Sequence, residues 1–569
     1  SRTVYTRASG SLATFNSTTF DDGDAGTDDA AENVVVRFIR GEDVDNDDSD
    51  SPANTSEPRS TIHGDVVHSR PQPVNYGGTT GVVVFYGAND GTYRAVKANT
   101  GQELWSFVAP EHFSKLTRLR RNDPIVKFYG DTSLSAAPKD YFFDGSTGLF
   151  QNADNSRVFI YPTMRRGGRG VYALNVTNPV SPQMLWSKGC PSTTSDSGCD
   201  TGFTGLGETW SIPNPAYIKG YSSTRPVVIM GGGYDRCEEA NTAAPACGTA
   251  KGKGVYVLDA ETGNIVRFFD FSTLSGFTAR SIAADTALID VDNDGKVDYV
   301  YAADTGGNIY RLSFIDAPAT LAPLASGDWT MQRIAFTNGD GRKFLFPPAL
   351  LQANNRTVYL AIGSGDREHP LMSQYPFSSV TNRFYVFKDN LSAVGTTVDL
   401  DDTDFLTDNT LSTSCDSPQV LPSSEETGWF MSLTQNGPGE QVVTSAVIAG
   451  GFVIFSTNQP TPPDPNSCSN SLGEARGYFV NLLNASGAIG TAQSCGGGQR
   501  SSSFIGGGLP PSPVLATVPI NGELRTVVIG AVQRETANSA NSAIEAQRIR
   551  PSISSKRKPI YWEKPVDAR

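Results

Sequence analysis

Histidine is scarce in this sequence: four in 569 residues, scattered along the chain. The seven cysteines include no CxxC or CxxxxC spacing. These shortages exclude an ordinary structural zinc site, which gathers cysteine and histidine ligands at short spacing. No apolar run reaches the ~18 residues that a membrane helix needs. The longest, SAVIAGGFVIF (445–455), reads as a buried hairpin. Charged residues make up only 18%, too few for a coiled coil or a highly charged disordered chain. Clustered lysine and arginine are wanting too. A net charge of -13 and a pI near 4.9 exclude a nucleic-acid-binding surface. The opening SRTVYTRASG carries neither an initiator methionine nor a signal peptide, as expected of a mature or truncated secreted chain.

What is abundant is glycine (57), proline (35) and aromatic residues (10%). That mixture suits many short strands joined by tight turns. A loose repeat confirms the reading. It recurs as YGANDGTYRAVKANTGQELWSF (86–107), GGRGVYALNVTNPVSPQMLWSK (167–188), GKGVYVLDAETGNIVRFFDF (252–271), ADTGGNIYRLSFID (303–316), NRFYVFKDNLSAVG (382–395) and GEARGYFVNLLNASGAIG (473–490). Each copy has a glycine-rich turn, an alternating strand and then a tight turn; several add a strand carrying Trp or Phe. Further strands lie between copies, such as RVFIYPT, RPVVIMGGG, TVYLAIGSG, GFVIFST and RTVVIGAV.

Such a unit is a four-stranded sheet that cannot bury both faces alone, and radial packing solves the problem. The expected fold is all-β: a modified, about seven-bladed β-propeller with long inserted loops and a short N-terminal helical segment. Residues 1–60 read as that segment plus an acidic linker, and 61–569 as the propeller with a calcium-binding hairpin loop. TDDAAENVVVRFIRG (27–41) predicts a helix capped by Thr27 or Asp28, with Gly41 just past its end. EDVDNDDSDSPANTSEP (42–58) reads as a flexible linker. APEHFSKLTRLRRND (109–123) predicts an inserted helix with a solvated basic face. RKPIYWEKPVD, near the end, is a plausible closing strand.

Cys190 with Cys199, and Cys237 with Cys247, each bracket a short loop of small residues and read as local disulfides. That implies an oxidising compartment. Each would contribute roughly 2–3 kcal/mol by restricting the unfolded chain. Two of Cys415, Cys468 and Cys495 can pair, and the sequence does not choose which.

One loop carries distinctive chemistry. In IDVDNDGKVD, Asp290, Asp292 and Asp294 occupy positions 1, 3 and 5, Gly295 position 6 and Asp298 position 9. Ca²⁺ takes six to eight hard oxygens, and a glycine permits the sharp turn between them. The Lys296 carbonyl at position 7 can add another oxygen. Tyr301 stands at position 12, where an EF-hand needs Glu, and strands flank the loop. The pattern is a nine-residue D-x-D-x-D-G-x-x-D calcium loop on a β-hairpin. Without a cation, four such close carboxylates repel. DVDNDDSD (Asp43, Asp45, Asp47) is a weaker echo without the glycine.

The chain resembles the PilY/PilC family of type IV pili. The resemblance rests on RFIRG (37–41), GDVVHSRP (64–71), the 86–107 repeat, GETWSIP (207–213), GGGYD (231–235), the aspartate loop with its following strands (289–312) and the terminal IYW. It implies the C-terminal propeller of a longer protein, usually preceded by a von Willebrand factor A-like domain. It implies residence at the pilus tip outside the cell, and in the outer membrane or periplasm during assembly. It implies major or minor pilins as partners, adhesion to host-cell or abiotic surfaces, and a part in virulence. Family members support pilus biogenesis and balance extension against retraction in twitching motility, with Ca²⁺ on Asp290, Asp292, Asp294, the Lys296 carbonyl and Asp298. Some relatives carry Arg-Gly-Asp; here Glu42 follows Arg40-Gly41, one methylene too long. Two rival readings use the same blades. A quinoprotein-like enzyme would need the adjacent cysteines that this sequence lacks, so a non-enzymatic role is expected. A periplasmic assembly scaffold would need no calcium.

Overall fold

A computed structural model describes residues 2–23, 29–47, 57–127, 135–462, 473–489, 498–530 and 546–548, apart from residues 249, 340, 355, 412, 415, 505, 506, 521 and 522. Seven sheets follow one another along the described chain, of six, four, four, five, five, five and three strands. The second sheet shows the plan: Thr147–Gln151, Val158–Pro162, Arg169–Asn175 and Gln183–Cys190 pair antiparallel in sequence order. Each sequence repeat from the first six sheets supplies the third strand of its sheet, and the intervening apolar runs supply the second.

Strand alternation sets the packing between sheets. In Tyr299–Ala303 of the fourth sheet, Tyr299, Tyr301 and Ala303 join a core shared with the fifth sheet. Val300 and Ala302 point the other way, into a core shared with the third. Corresponding cores lie between the first and second, second and third, fifth and sixth, and sixth and seventh sheets. The segments leading into six of the seven sheets meet at one recess of about 420 Å³, lined among others by His68, Ser146, Trp210, Asp285, Leu345 and Ser512. Sheets packed consecutively, with their leading segments converging, form a propeller; the sheets are its blades.

Tryptophans tie neighbouring blades. Trp105, Trp186 and Trp429, on the fourth strands of blades 1, 2 and 5, donate Nε1–H to the carbonyls of Pro179, Ala260 and Leu482 in the next blade, at 2.7, 3.0 and 2.8 Å. The turn beneath Trp186 requires glycine. Gly263 has φ +69°, and a Cβ there would lie 2.7 Å from the indole.

The first sixty residues are joined to the propeller. Strand Val4–Ala8 pairs parallel with Glu103–Val108 at the outer edge of blade 1, and Ser11–Thr14 completes the hairpin. These strands were not anticipated, because an added edge strand needs no repeat signature. Helix Asp29–Ile39 ends in a Schellman arrangement: Gly41 N–H donates to Phe38 O and Glu42 N–H to Arg37 O. Gly41 has φ +89°. The proposed caps Thr27 and Asp28 lie outside the described residues, as does RKPIYWEKPVD. The start of the predicted linker is tied down: Asp43 is buried, and Asp45 pairs with Arg120. The inserted helix is Phe113–Arg121. Its basic face is not simply solvated. Lys115 Nζ donates to the carbonyls of Tyr141 and Gly167, and Arg118 reaches Asp140 and three carbonyls.

At the recess, Glu368 of blade 5 accepts from Arg165 (3.1 Å) and Arg166 (2.6 Å) of blade 2. Burial alone would raise the Glu368 carboxyl. The two guanidinium groups outweigh it and lower the pKa from 4.5 to about 2. A depressed carboxyl contributes stability above its unfolded pKa and loses it as pH falls through the folded value. Wild type should therefore be more stable than Glu368→Gln at neutral pH, by about 3 kcal/mol, and the difference should shrink between pH 4.5 and about 2. Denaturant unfolding across that range checks this; a pH-independent difference would contradict it. Trp186→Ala should cost about 3–5 kcal/mol in the same assay, and a loss below ~1 kcal/mol would contradict its role between blades.

Candidate metal centre

The aspartate loop joins the first two strands of blade 4, Ala287–Ile289 and Tyr299–Ala303, where Ile289 pairs with Tyr299. It lies at the opposite end of Ala287–Ile289 from the axial recess. Local hydrogen bonds curl it. Gly295 N–H donates to Asp290 Oδ2 at 2.7 Å and Lys296 N–H to Asp294 Oδ1 at 2.9 Å. Asp294 N–H faces Asp290 Oδ1 and Asp292 Oδ1, both at 3.3 Å. Two left-handed positions, Asn293 (φ 58°) and Gly295 (φ 85°), make the reversal. As a result one carboxylate oxygen from each of Asp290, Asp292 and Asp294 lies within 4.8 Å of the others.

The loop is anchored on both neighbouring blades. Val291 is buried in the core between blades 4 and 5, and its carbonyl accepts from Gln352 Nε2 of blade 5 at 2.7 Å. On the other side Val297 N–H donates to Tyr217 O of blade 3 at 2.8 Å, and Val297 pairs with Ile218 as an isolated bridge. One hairpin thus touches three consecutive blades.

Asp298 sits deeper than the other three. Its side chain is 0% exposed, against 26% for Asp292 and 37% for Asp294. Its Oδ2 accepts from Val291 N–H at 2.8 Å, closing the loop. Its Oδ1 faces Lys219, a residue the sequence reading did not single out. Lys219 Nζ lies 2.5 Å from Asp292 Oδ2, 2.9 Å from Asp298 Oδ1 and 3.6 Å from Asp294 Oδ2. Burial opposes the ammonium, but the Asp292 and Asp298 carboxylates outweigh it and raise its pKa. The same pair divides unevenly on the acid side: burial raises Asp298, whereas Asp292, drawn down chiefly by Lys219 against its own desolvation, is lowered. Nothing in the sequence could reveal this lysine. It stands in YIKGY, some seventy residues upstream.

The donor set fits a hard divalent cation. Asp290, Asp292 and Asp294 offer convergent oxygens, the Lys296 carbonyl belongs to the same turn, and Asp298 underlies it. Asp298 does not join the tight trio; the Lys219 ammonium stands against it instead. The echo at Asp43, Asp45 and Asp47 differs in kind. Asp43 Oδ1 accepts from Asp47 N–H, and Asp45 is held by Arg120. The sulfur atoms of Cys190 and Cys199 are 2.03 Å apart and those of Cys237 and Cys247 2.16 Å, both bonded. Cys415, Cys468 and Cys495 lie outside the described residues.

Comparison with known proteins shows what the chain is similar to. Residues 75–323 match the family model described as the PilY1 beta-propeller domain. They run from the end of the first strand of blade 1 to just short of the fourth strand of blade 4, and include the whole aspartate loop. The type IV pilus biogenesis factor PilY1 of Pseudomonas aeruginosa strain PAK is 23% identical over 501 residues, covering 76% of this chain and 39% of that protein. A PilY1 homolog of Xylella fastidiosa is 25% identical over 442 residues, covering 73% and 32%. The chain therefore spans about two fifths or less of the length of these relatives. The crystal structure of the Pseudomonas aeruginosa PilY1 C-terminal domain superposes with a TM-score of 0.53 at 18% identity, covering 82% of this chain and 93% of that one, and so shares its fold. Residues 75–323, less than half of the chain, are thus similar to the PilY1 beta-propeller domain.

Proposed function

We propose that the chain is the propeller part of a type IV pilus biogenesis factor and that its blade 4 hairpin is a calcium-responsive contact element. The observation that carries the calcium reading is the convergence of Asp290, Asp292 and Asp294 on a loop anchored to three blades. The pilus role is supported by the relatives, which are named as type IV pilus biogenesis factors. Asp290, Asp292, Asp294, Asp298 and the Lys296 carbonyl would hold Ca²⁺, which supplies charge neutralisation there. No reaction is assigned to these residues, and the role is structural and regulatory.

The consequence of the geometry is mechanical. Four carboxylates on one short turn repel unless compensated. A change in their compensation is felt at Val297 against blade 3 and at Val291 against blade 5. We assign this as the means by which calcium biases contacts with major or minor pilins, and so the balance of pilus extension against retraction in twitching motility. An extracellular position at the pilus tip, passage through the periplasm or outer membrane, and adhesion to host-cell or abiotic surfaces complete the proposal. The two disulfides suit such an oxidising setting.

Calorimetric titration tests the site. Wild type should bind one Ca²⁺ in the loop, and Asp292→Ala/Asp294→Ala should bind none while unfolding at nearly the same temperature. Equal affinity in both proteins would remove the loop from consideration. In cells, the same double variant should alter the diameter of twitching zones and their response to external calcium; unchanged zones would leave calcium binding without the proposed consequence.

A further inference from the structure

The aspartate loop already contains a cation of its own. Lys219 is 7% exposed, and its ammonium faces three of the four loop carboxylates. An ammonium has three N–H donors and no acceptor, so it matches a pocket of three carboxylates. Lys219 belongs to another blade: it follows strand Asn214–Ala216 of blade 3. Its backbone is fixed on both sides. Ile218 is buried in the core between blades 3 and 4 and bridges to Val297. Gly220 has φ +78°, and a Cβ there would lie 1.8 Å from Leu324 O. Only the side chain can leave, along a flexible four-carbon stem, and the pocket edge at Asp292 and Asp294 is exposed.

A metal ion and the Lys219 ammonium would address the same oxygens. Asp292 and Asp294 belong both to the convergent trio and to the lysine's partners. Two positive centres a few ångströms apart on shared ligands repel strongly in a partly buried site. The four aspartates sum to four negative charges and Lys219 returns one, so a divalent ion remains attracted but must contend with the lysine.

Resting on the calcium reading above, we propose that Lys219 is a built-in counter-ion that holds the cage together when the metal is absent and that Ca²⁺ displaces. Binding is then an exchange of cations rather than the filling of an empty loop. The exchange breaks the ionic link between Lys219 of blade 3 and Asp298 of blade 4. It therefore converts calcium concentration into a looser contact between those two blades. It also weakens apparent affinity, because the ion must expel a charge that is tethered in place.

Three measurements on the whole chain decide it. In calorimetric titrations with CaCl₂, Lys219→Met should bind about tenfold more tightly than wild type, while Lys219→Arg, which keeps the charge, should not. Without calcium, Lys219→Met should unfold at a lower temperature than wild type, and saturating calcium should narrow the gap. Lys219→Gln serves if Lys219→Met fails to fold. In amine-labelling mass spectrometry, wild-type Lys219 should be protected without calcium and become reactive with it. If the neutral variant alone bound calcium, Lys219 would be a permanent counter-ion that calcium does not displace, and the exchange would be overturned. Equal affinity in wild type and neutral variant, or continued protection of Lys219 at saturating calcium, would overturn the exchange and leave the calcium site standing. No binding by any of the proteins would overturn both.

Discussion

A four-stranded sheet whose strands alternate between two apolar faces has no stable solitary form. Tyr299, Tyr301 and Ala303 need one neighbour, and Val300 and Ala302 need another. Every described core between consecutive blades has this origin, and the tryptophan hydrogen bonds from one blade to the next reinforce it. The blades can therefore vary at their outer edges. Extra strands are added there in parallel: Val4–Ala8 on blade 1, Val398–Asp399 on blade 4 and Leu406–Asp408 on blade 5. The insertions that carry them leave the inner strands undisturbed.

Against that frame of apolar contacts, two clusters of charge differ in how they are compensated. Around the axial recess it is compensated across the ring, as in the pairing of Glu368 with Arg165 and Arg166. At the blade 4 hairpin it is compensated sideways, from blade 3. A hairpin confined to its own blade could respond to an ion only locally. This one is bonded through Val297 to Tyr217 and through Val291 to Gln352, so changes in its charge reach the packing of both neighbours.

Much of the architecture was legible because it repeats. The strands VYALNV, VYVLDA and FYVFKD alternate at period two between glycine turns, and all prove to be third strands. The loop aspartates were legible because their spacing alone places three carboxylates on one turn. Three features were not. Val4–Ala8 gains its place from an open sheet edge rather than from any pattern in its own residues. Lys115 and Arg118 looked like a solvated face, yet they satisfy carbonyls of nearby loops, a partnership set by tertiary structure. Lys219 lies on a different blade from the carboxylates it meets. Spacing reports neighbours along one turn, and only packing reports neighbours across blades.

The central claim is that the blade 4 hairpin is a cation-holding junction whose resident cation is Lys219 until calcium replaces it. The most direct test is a pair of crystal structures of this chain, one grown in chelator and one in calcium. The account predicts Lys219 Nζ against Asp292 and Asp298 in the first. In the second it predicts an ion among Asp290, Asp292 and Asp294, with the lysine side chain turned out to solvent. A calcium-soaked structure with no ion in the loop and Lys219 still in place would contradict it.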